Sequence, residues 1–236
     1  MSTSSNARRG SLIGLALACF SGFAMAQNTA PQHDLSGYWE LRFDSFSVSR
    51  ASLTPAAASA VDAQMRHDVE AIRWCTNLGV PFILGDRAPL DIRQSPTVTA
   101  MVAMAQSSAR YIFSDGRKHP DREDLDPTTN GHSIGHWDSD TFVVDTVGFN
   151  DRGATRIPGG GVRTANSHLV ERYRLLDEGA RLSAMFTWDD AKVFQKPHTY
   201  EFRYYRIGPL SGPRILPCDP GDQERAKFLM APYATK

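Results

Sequence analysis

The sequence predicts a mainly β fold, an antiparallel β-barrel of about nine strands with one N-terminal helix. From residue 90 onward, short apolar or alternating segments are separated by turn residues such as Ser95-Pro96, Asp115-Gly116 and Ser139-Asp140. One alanine-rich segment has helical periodicity instead. Closure into a barrel removes exposed strand edges, and a two-sheet sandwich is the alternative.

The sequence predicts residue ranges for one helix and nine strands. The helix begins at Pro55 and ends near Arg73, because Thr54 is a suitable N-cap and proline is favoured at the first helical position. Its predicted buried stripe is Val61, Met65, Val69 and Ile72. The predicted strands are Leu35–Phe46, Leu90–Gln94, Thr97–Ala103, Ala109–Ser114, His132–Trp137, Thr141–Phe149, His168–Leu176, Arg181–Trp188 and His198–Ile207.

Residues 1–26 have the three parts of a cleaved secretory signal peptide. Arg8 and Arg9 are basic, an apolar run follows, and Ala24-Met25-Ala26 supplies small residues before the cleavage point. The apolar run is shorter than the ~20 residues that span a bilayer, so we expect no permanent membrane anchor. The sequence therefore predicts a single exported domain over residues 27–236, located in the periplasm or secreted.

The three cysteines favour a disulfide in the mature protein. Cys19 lies in the predicted signal peptide, where it would carry lipid only if the chain were a lipoprotein. In an oxidising compartment the remaining pair, Cys75 and Cys218, most simply forms one bridge. The alternative is a reactive thiol or half of a metal site, although neither cysteine has a Cys-x-x-Cys partner.

Composition and motifs exclude several function classes. Lys+Arg and Asp+Glu both number 26, and no basic stripe alternates with aromatic residues, so we expect no nucleic-acid partner. The absence of a Gly-x-Ser-x-Gly elbow, a P-loop and a dinucleotide fingerprint argues against serine hydrolases, NTPases and NAD enzymes. We expect no metal, because His132 and His136 would lie roughly 13 Å apart on a strand. No cofactor is expected either.

The central part of the chain has a long recognisable run of residues. The matching stretches are Asp115–Pro120, Gly131–Trp137, Asp140–Asp151, Ser167-His168, Glu171–Tyr173, Asp189-Asp190 and Lys196-Pro197. This run resembles a large group of exported bacterial proteins, and the resemblance implies a lipocalin-like barrel and a periplasmic location but no particular reaction. The chain departs from that pattern at Thr129 and His198, where tryptophan is usual, and in its glycine-rich loop 152–166.

The hairpin over residues 132–150 carries the candidate active site. If residues 139–140 form a two-residue turn, His132, His136 and Asp145 share one face, whereas a three-residue loop would separate them. We expect that face to line the inner wall of the barrel, where a His–Asp pair can exchange protons. A buried Asp145 would need a partner, and Glu171 or Arg172 across the barrel is the candidate.

These observations lead to a hypothesis of a cofactor-independent acid–base enzyme, a lyase or isomerase, acting on a small apolar or aromatic molecule in a barrel cavity. The predicted catalytic residues are His132, Asp145 and His168. The predicted substrate-binding residues are Arg117, His119, His136, Glu171, Arg172 and Tyr173. The alternatives are a periplasmic small-molecule binding or carrier protein without catalysis, and a structural protein whose barrel is filled by its own side chains.

Overall fold

The computed structural model describes Met1 and residues 34–86, 88–104 and 108–208. The predicted signal peptide beyond Met1 and the cysteine at Cys218 lie outside the described residues. Export and the Cys75–Cys218 disulfide therefore stay predictions.

Nine strands in the described part of the chain form a closed barrel, in which each strand pairs with the next and the last pairs with the first. The strands are β1 (Gly37–Ser47), β2 (Leu90–Gln94), β3 (Val98–Ala103), β4 (Ser108–Phe113), β5 (His132–Asp138), β6 (Thr141–Val147), β7 (His168–Leu176), β8 (Arg181–Asp189) and β9 (His198–Ile207). All neighbouring pairs are antiparallel except β4 with β5, which is parallel. The predicted mainly β, barrel-forming fold is confirmed, and the sandwich alternative is excluded.

The helix α1 (Pro55–Arg73) has the predicted bounds. The Thr54 side chain accepts a hydrogen bond from the Ala57 backbone N–H at 3.2 Å, as expected of an N-cap. Its buried face differs from the predicted stripe, because its buried residues are Asp68, Ala71 and Ile72. The first three residues of the predicted stripe are only partly buried. A second, four-residue helix, α2 (Phe82–Gly85), follows, and no described helix has the length and apolarity needed to cross a membrane.

The barrel interior is filled by large side chains. Seven of these are at most 1 % exposed: Trp39, Phe142, Phe149, Phe186, Trp188, Phe202 and Tyr204. Burial alternates along β6, where Phe142, Val144 and Thr146 are fully buried and the residues between them are not. Since successive side chains of a strand point to opposite faces, the intervening residues of β6 lie on the outside of the barrel.

An ion pair lies within this interior. Arg110 on β4 donates to Glu171 on β7 at 2.9 Å, and it also donates to the hydroxyls of Ser133 and Thr146. Tyr173 donates its hydroxyl hydrogen to Glu171 at 2.6 Å. The group joins β4, β5, β6 and β7 beside the parallel seam, where β4 and β5 share only two residue pairs. Arg110 thus connects strands where backbone pairing is sparsest.

Candidate functional site

The β5–β6 hairpin has the register that a two-residue turn predicts. Ile134 lies opposite Asp145, His136 opposite Val143 and His132 opposite Val147. His132, His136 and Asp145 therefore share one face, as the sequence indicated.

That shared face is the outer wall of the barrel, so the prediction of an inner-wall site is wrong. The Asp145 side chain is 38 % exposed, whereas its neighbours Val144 and Thr146 are fully buried. Both faces of β6 carry apolar side chains, and the larger Phe142 takes the interior position. The opposite face of β6 is buried, and large buried side chains such as Phe142, Phe186 and Phe202 occupy the described interior of the barrel.

Four side chains on the outer wall form a continuous hydrogen-bonded chain, which we call the Asp145 cluster: His132, His119, Asp145 and His168. Asp145 Oδ1 lies 2.9 Å from His119 Nε2, and its Oδ2 lies 2.8 Å from His168 Nε2. His119 Nδ1 lies 2.8 Å from His132 Nδ1. Three members come from β5, β6 and β7, and His119 comes from the loop between β4 and β5.

The hydrogen-bond network fixes which nitrogens carry hydrogen. A carboxylate only accepts hydrogen bonds, so the Nε2 atoms of His119 and His168 donate to Asp145. In a neutral His119 the Nδ1 atom then accepts, and His132 donates to it from its own Nδ1–H. The nitrogens left to take up a proton are therefore Nδ1 of His168 and Nε2 of His132.

The two ends of the cluster differ in proton affinity. The hydrogen bond from His168 lowers the pKa of Asp145 below its usual range, and the bond from His119 adds to this effect. The same Asp145 bond raises the pKa of His168. Partial burial, together with the charges of His119 and Arg117, lowers the pKa of His132. The cluster thus favours a proton on His168 and opposes one on His132.

A pocket of about 360 Å³ adjoins the cluster at His168, and we call it the His168 pocket. Its walls are mainly apolar and are formed by Pro120, Leu125, Pro127, Val147, Gly148, Phe149 and Ala165. Its polar lining residues are Arg122, Asn166, Ser167 and His168. A mostly apolar pocket with a few polar groups is the usual form of a small-molecule site.

No protein-family model matches this sequence, and no curated protein is significantly similar to it. The resemblance to the exported barrel group therefore stays a prediction, and the function must be argued from the geometry of the site.

Two other predicted site residues, Arg117 and His136, lie outside the His168 pocket. Arg117 is exposed near the His132 end of the cluster, where it pairs with Asp115 at 2.6 Å and stacks on Phe113. His136 lines a separate depression with Asp34 and Gln94 on the outer wall. Neither residue lines the His168 pocket.

Three predicted residues on β7 do not join the cluster. Glu171 and Tyr173 are fully buried in the interior, and Arg172 is exposed on the outer face. The prediction that Glu171 or Arg172 pairs with Asp145 is wrong: Glu171 faces inward and pairs with Arg110, and on the outer face of β7 it is His168, and not Arg172, that bonds to Asp145.

Sequence reasoning missed two contributions to the site. His119 was expected to bind substrate, but its side chain bridges His132 and Asp145 within the cluster. Arg122 and Asn166, which line the His168 pocket, were not singled out. His119, Arg122 and Asn166 all lie in irregular loops, where no strand periodicity indicates a facing partner.

Among the described residues no group of three or more His, Cys, Asp or Glu side chains is arranged to hold a metal ion.

Proposed function

We propose that this chain is an exported, cofactor-independent acid–base enzyme, a lyase or isomerase, whose active site is the Asp145 cluster on the outer wall of the barrel. Its substrate is a small apolar or aromatic molecule bound in the His168 pocket. One observation carries the proposal: a carboxylate orients a histidine that also lines an apolar pocket.

The proposed chemistry needs only proton transfer. With Nε2 committed to Asp145, His168 takes a proton from a substrate carbon at Nδ1 and becomes an imidazolium stabilised by the carboxylate. The electron pair of the broken C–H bond forms a double bond to the neighbouring carbon, and the pair displaced there moves onto a carbonyl oxygen of the substrate in an isomerase or departs with the leaving group in a lyase. In an isomerase His168 returns the proton to another carbon, and in a lyase it gives the proton to the leaving group.

His119 and His132 support this step from the other carboxylate oxygen. The His119 bond holds Asp145 ionised and fixes its side-chain torsion, so that Oδ2 stays directed at His168. His132 in turn fixes the ring of His119 through the bond between their Nδ1 atoms. We assign His168 as the acid–base group and Asp145 as the residue that orients it.

The test is the exchange of deuterium from D₂O into small molecules. A panel of apolar and aromatic carbonyl compounds is incubated with the protein, and deuterium incorporation or conversion is followed by proton NMR. We expect the wild type to act on at least one compound, and His168→Gln and Asp145→Asn to lower that rate by about 10²-fold or more. His136→Gln, on the same outer wall but outside the cluster, is the matched control and should retain the rate.

Two outcomes would overturn the proposal. Unchanged exchange in His168→Gln would remove His168 from the chemistry. Binding of panel compounds by the wild type without exchange or conversion would favour the carrier alternative.

A structural role for the barrel is the second candidate, favoured by its filled interior. It predicts that Asp145→Asn lowers the free energy of unfolding while the protein neither binds nor converts any panel compound.

A further inference from the structure

We propose that the His168 pocket selects molecules that carry a carboxylate on a small apolar or aromatic body, and that Arg122 recognises the carboxylate. This inference rests on the proposed function, because the His168 pocket is the proposed active site. It identifies a residue that the sequence did not indicate, because the sequence predicted Arg117, and not Arg122, to bind the substrate.

The pocket has the shape and lining of a site for one small molecule. Its volume of about 360 Å³ lies at the lower end of the range of small-molecule sites. Leu125, Val147 and Ala165 provide apolar contact for the body of the ligand. Binding energy would come from this apolar area, while the few polar residues would fix the orientation.

The polar lining residues have a definite charge. Arg122 and His168 are the ionisable residues among those that line the pocket; His168 is paired with the Asp145 carboxylate, so Arg122 is the cation whose charge has no carboxylate partner in the described hydrogen-bond network. No acidic side chain is among these lining residues. The ligand group that complements this lining is therefore an anion.

Arg122 is held in place without being neutralised. Its Nη2 donates to the amide oxygen of Asn166 at 3.0 Å, a contact that spans the loop before β5 and the loop before β7. An amide is uncharged, and a guanidinium has five N–H donors, so most of the donors of Arg122 stay available to a ligand. A guanidinium matches the two oxygens of a carboxylate with paired hydrogen bonds.

Arg117 has a different environment. Its guanidinium contacts both oxygens of Asp115 at 2.6 to 3.1 Å, so its charge is already matched by a carboxylate. It also does not line the pocket. Of the two arginines in this loop, only Arg122 combines pocket lining with a neutral partner.

The acidic neighbours of Arg122 in sequence provide the strongest counter-argument. Asp121, Glu123 and Asp124 are exposed on the same loop and would favour a cation near the pocket by long-range attraction. They do not line the pocket, so a bound molecule would contact Arg122 and not these carboxylates. The contacts of the pocket itself therefore decide the selectivity, and an experiment can compare both charges.

The experiment is a ¹⁹F NMR titration of the full-length protein with three probes of similar size. These are 4-fluorobenzoate, 4-fluorobenzyl alcohol and 4-fluorobenzylamine, which are anionic, neutral and cationic. We expect the benzoate to bind about threefold more tightly than the alcohol, because an ion pair with the exposed Arg122 contributes about 0.6 kcal/mol. The amine should bind no more tightly than the alcohol.

Arginine variants test whether Arg122 causes the preference for benzoate. Arg122→Gln should lower the benzoate affinity about threefold and leave the alcohol affinity unchanged, whereas Arg174→Gln on the exposed face of β7 should change neither. Equal binding of benzoate and alcohol, tighter binding of the amine, or no binding of any probe would overturn the inference. Loss of benzoate binding in Arg117→Gln but not in Arg122→Gln would also overturn it. Because the readout is binding and not conversion, its failure is distinguishable from loss of catalysis in His168→Gln.

Discussion

Asp145 and His168 lie diagonally across the β6–β7 ladder and are joined by a hydrogen bond of 2.8 Å. The register pairs Asp145 with Val170, so that His168 is two residues away on the same face of β7. The other oxygen of Asp145 binds His119 from the loop between β4 and β5. One carboxylate therefore organises the cluster and anchors the loop that forms one wall of the His168 pocket.

The Asp145–His168 pair predicts a pH window of added stability. The pKa of Asp145 is lowered on folding, so its contribution is present above its unfolded value near 4 and is lost as the pH falls through the folded pKa. The pKa of His168 is raised, so its contribution is present below about 6.5 and is lost as the pH rises through the folded pKa. The two contributions overlap between about pH 4 and 6.5.

Urea unfolding of the wild type and of Asp145→Asn from pH 3 to 9 measures this window. We expect the difference in the free energy of unfolding to be largest inside the window, at about 0.5 to 1 kcal/mol, because both side chains are partly exposed. Asp138→Asn, on the exposed end of the same hairpin, is the control. Its difference from the wild type in the free energy of unfolding should not peak between about pH 4 and 6.5. A flat difference for Asp145→Asn would contradict the assigned pair.

The tautomers of the cluster are a second prediction. In their neutral forms, His119 and His168 should carry hydrogen on Nε2, and His132 should carry it on Nδ1, because the Asp145 oxygens only accept. Long-range ¹H–¹⁵N NMR spectra distinguish the two neutral forms of each ring. In Asp145→Asn the preference at His168 should weaken, while His136, outside the cluster, should keep its wild-type spectrum. A predominant Nδ1–H form of His168 in the wild type would contradict the network.

The sequence was sufficient to predict the barrel, because turn residues and strand alternation are local patterns, but it left the hairpin register open between a two-residue turn and a three-residue loop. Turn residues and a period of two give the bounds of β2, β7 and β9 without error. The side of the wall that Asp145 occupies could not be predicted, since Val143 and Val147 make its face as apolar as that of Val144. Which face is inward depends on packing between distant strands.

The contacts made by loops and by buried charges could not be predicted from local patterns either, because they also join distant parts of the chain. His119 reaches Asp145 across 26 positions of the chain through an irregular segment. Arg110, a charged residue on a strand, would be expected to point outward, yet it is 1 % exposed because Glu171 lies opposite it inside the barrel. Neither partner can be identified without the closed barrel.

The buried Arg110–Glu171 pair gives a third prediction. Arg110→Met leaves the Glu171 carboxylate buried without its cation, and we expect a loss of about 3 to 5 kcal/mol in the free energy of unfolding. The double variant Arg110→Met/Glu171→Met removes both charges and should recover most of that loss. Urea unfolding of the two single variants and the double variant forms a double-mutant cycle. Losses that simply add would show that the two side chains are not coupled.

The last prediction concerns Asp68, which ties α1 to the glycine-rich loop. Its side chain is fully buried and accepts backbone hydrogen bonds from Thr155 and Arg156, each at 2.9 Å. Asp68→Asn keeps one accepting oxygen and places an amide N–H₂ group against the second backbone donor. We expect a loss of about 1 to 3 kcal/mol in the free energy of unfolding, as for a buried donor left unsatisfied.

Amide hydrogen exchange locates the effect. In Asp68→Asn the backbone amides of Thr155 and Arg156 should exchange faster than in the wild type, while those of β7 and β8 change only with global stability. Asp62→Asn changes an exposed carboxylate on the same helix and serves as the matched control. Because Asp68 is the acceptor for both amides, equal protection at Thr155 and Arg156 in the wild type and in Asp68→Asn would show that the loop is held by its own turns and not by the helix.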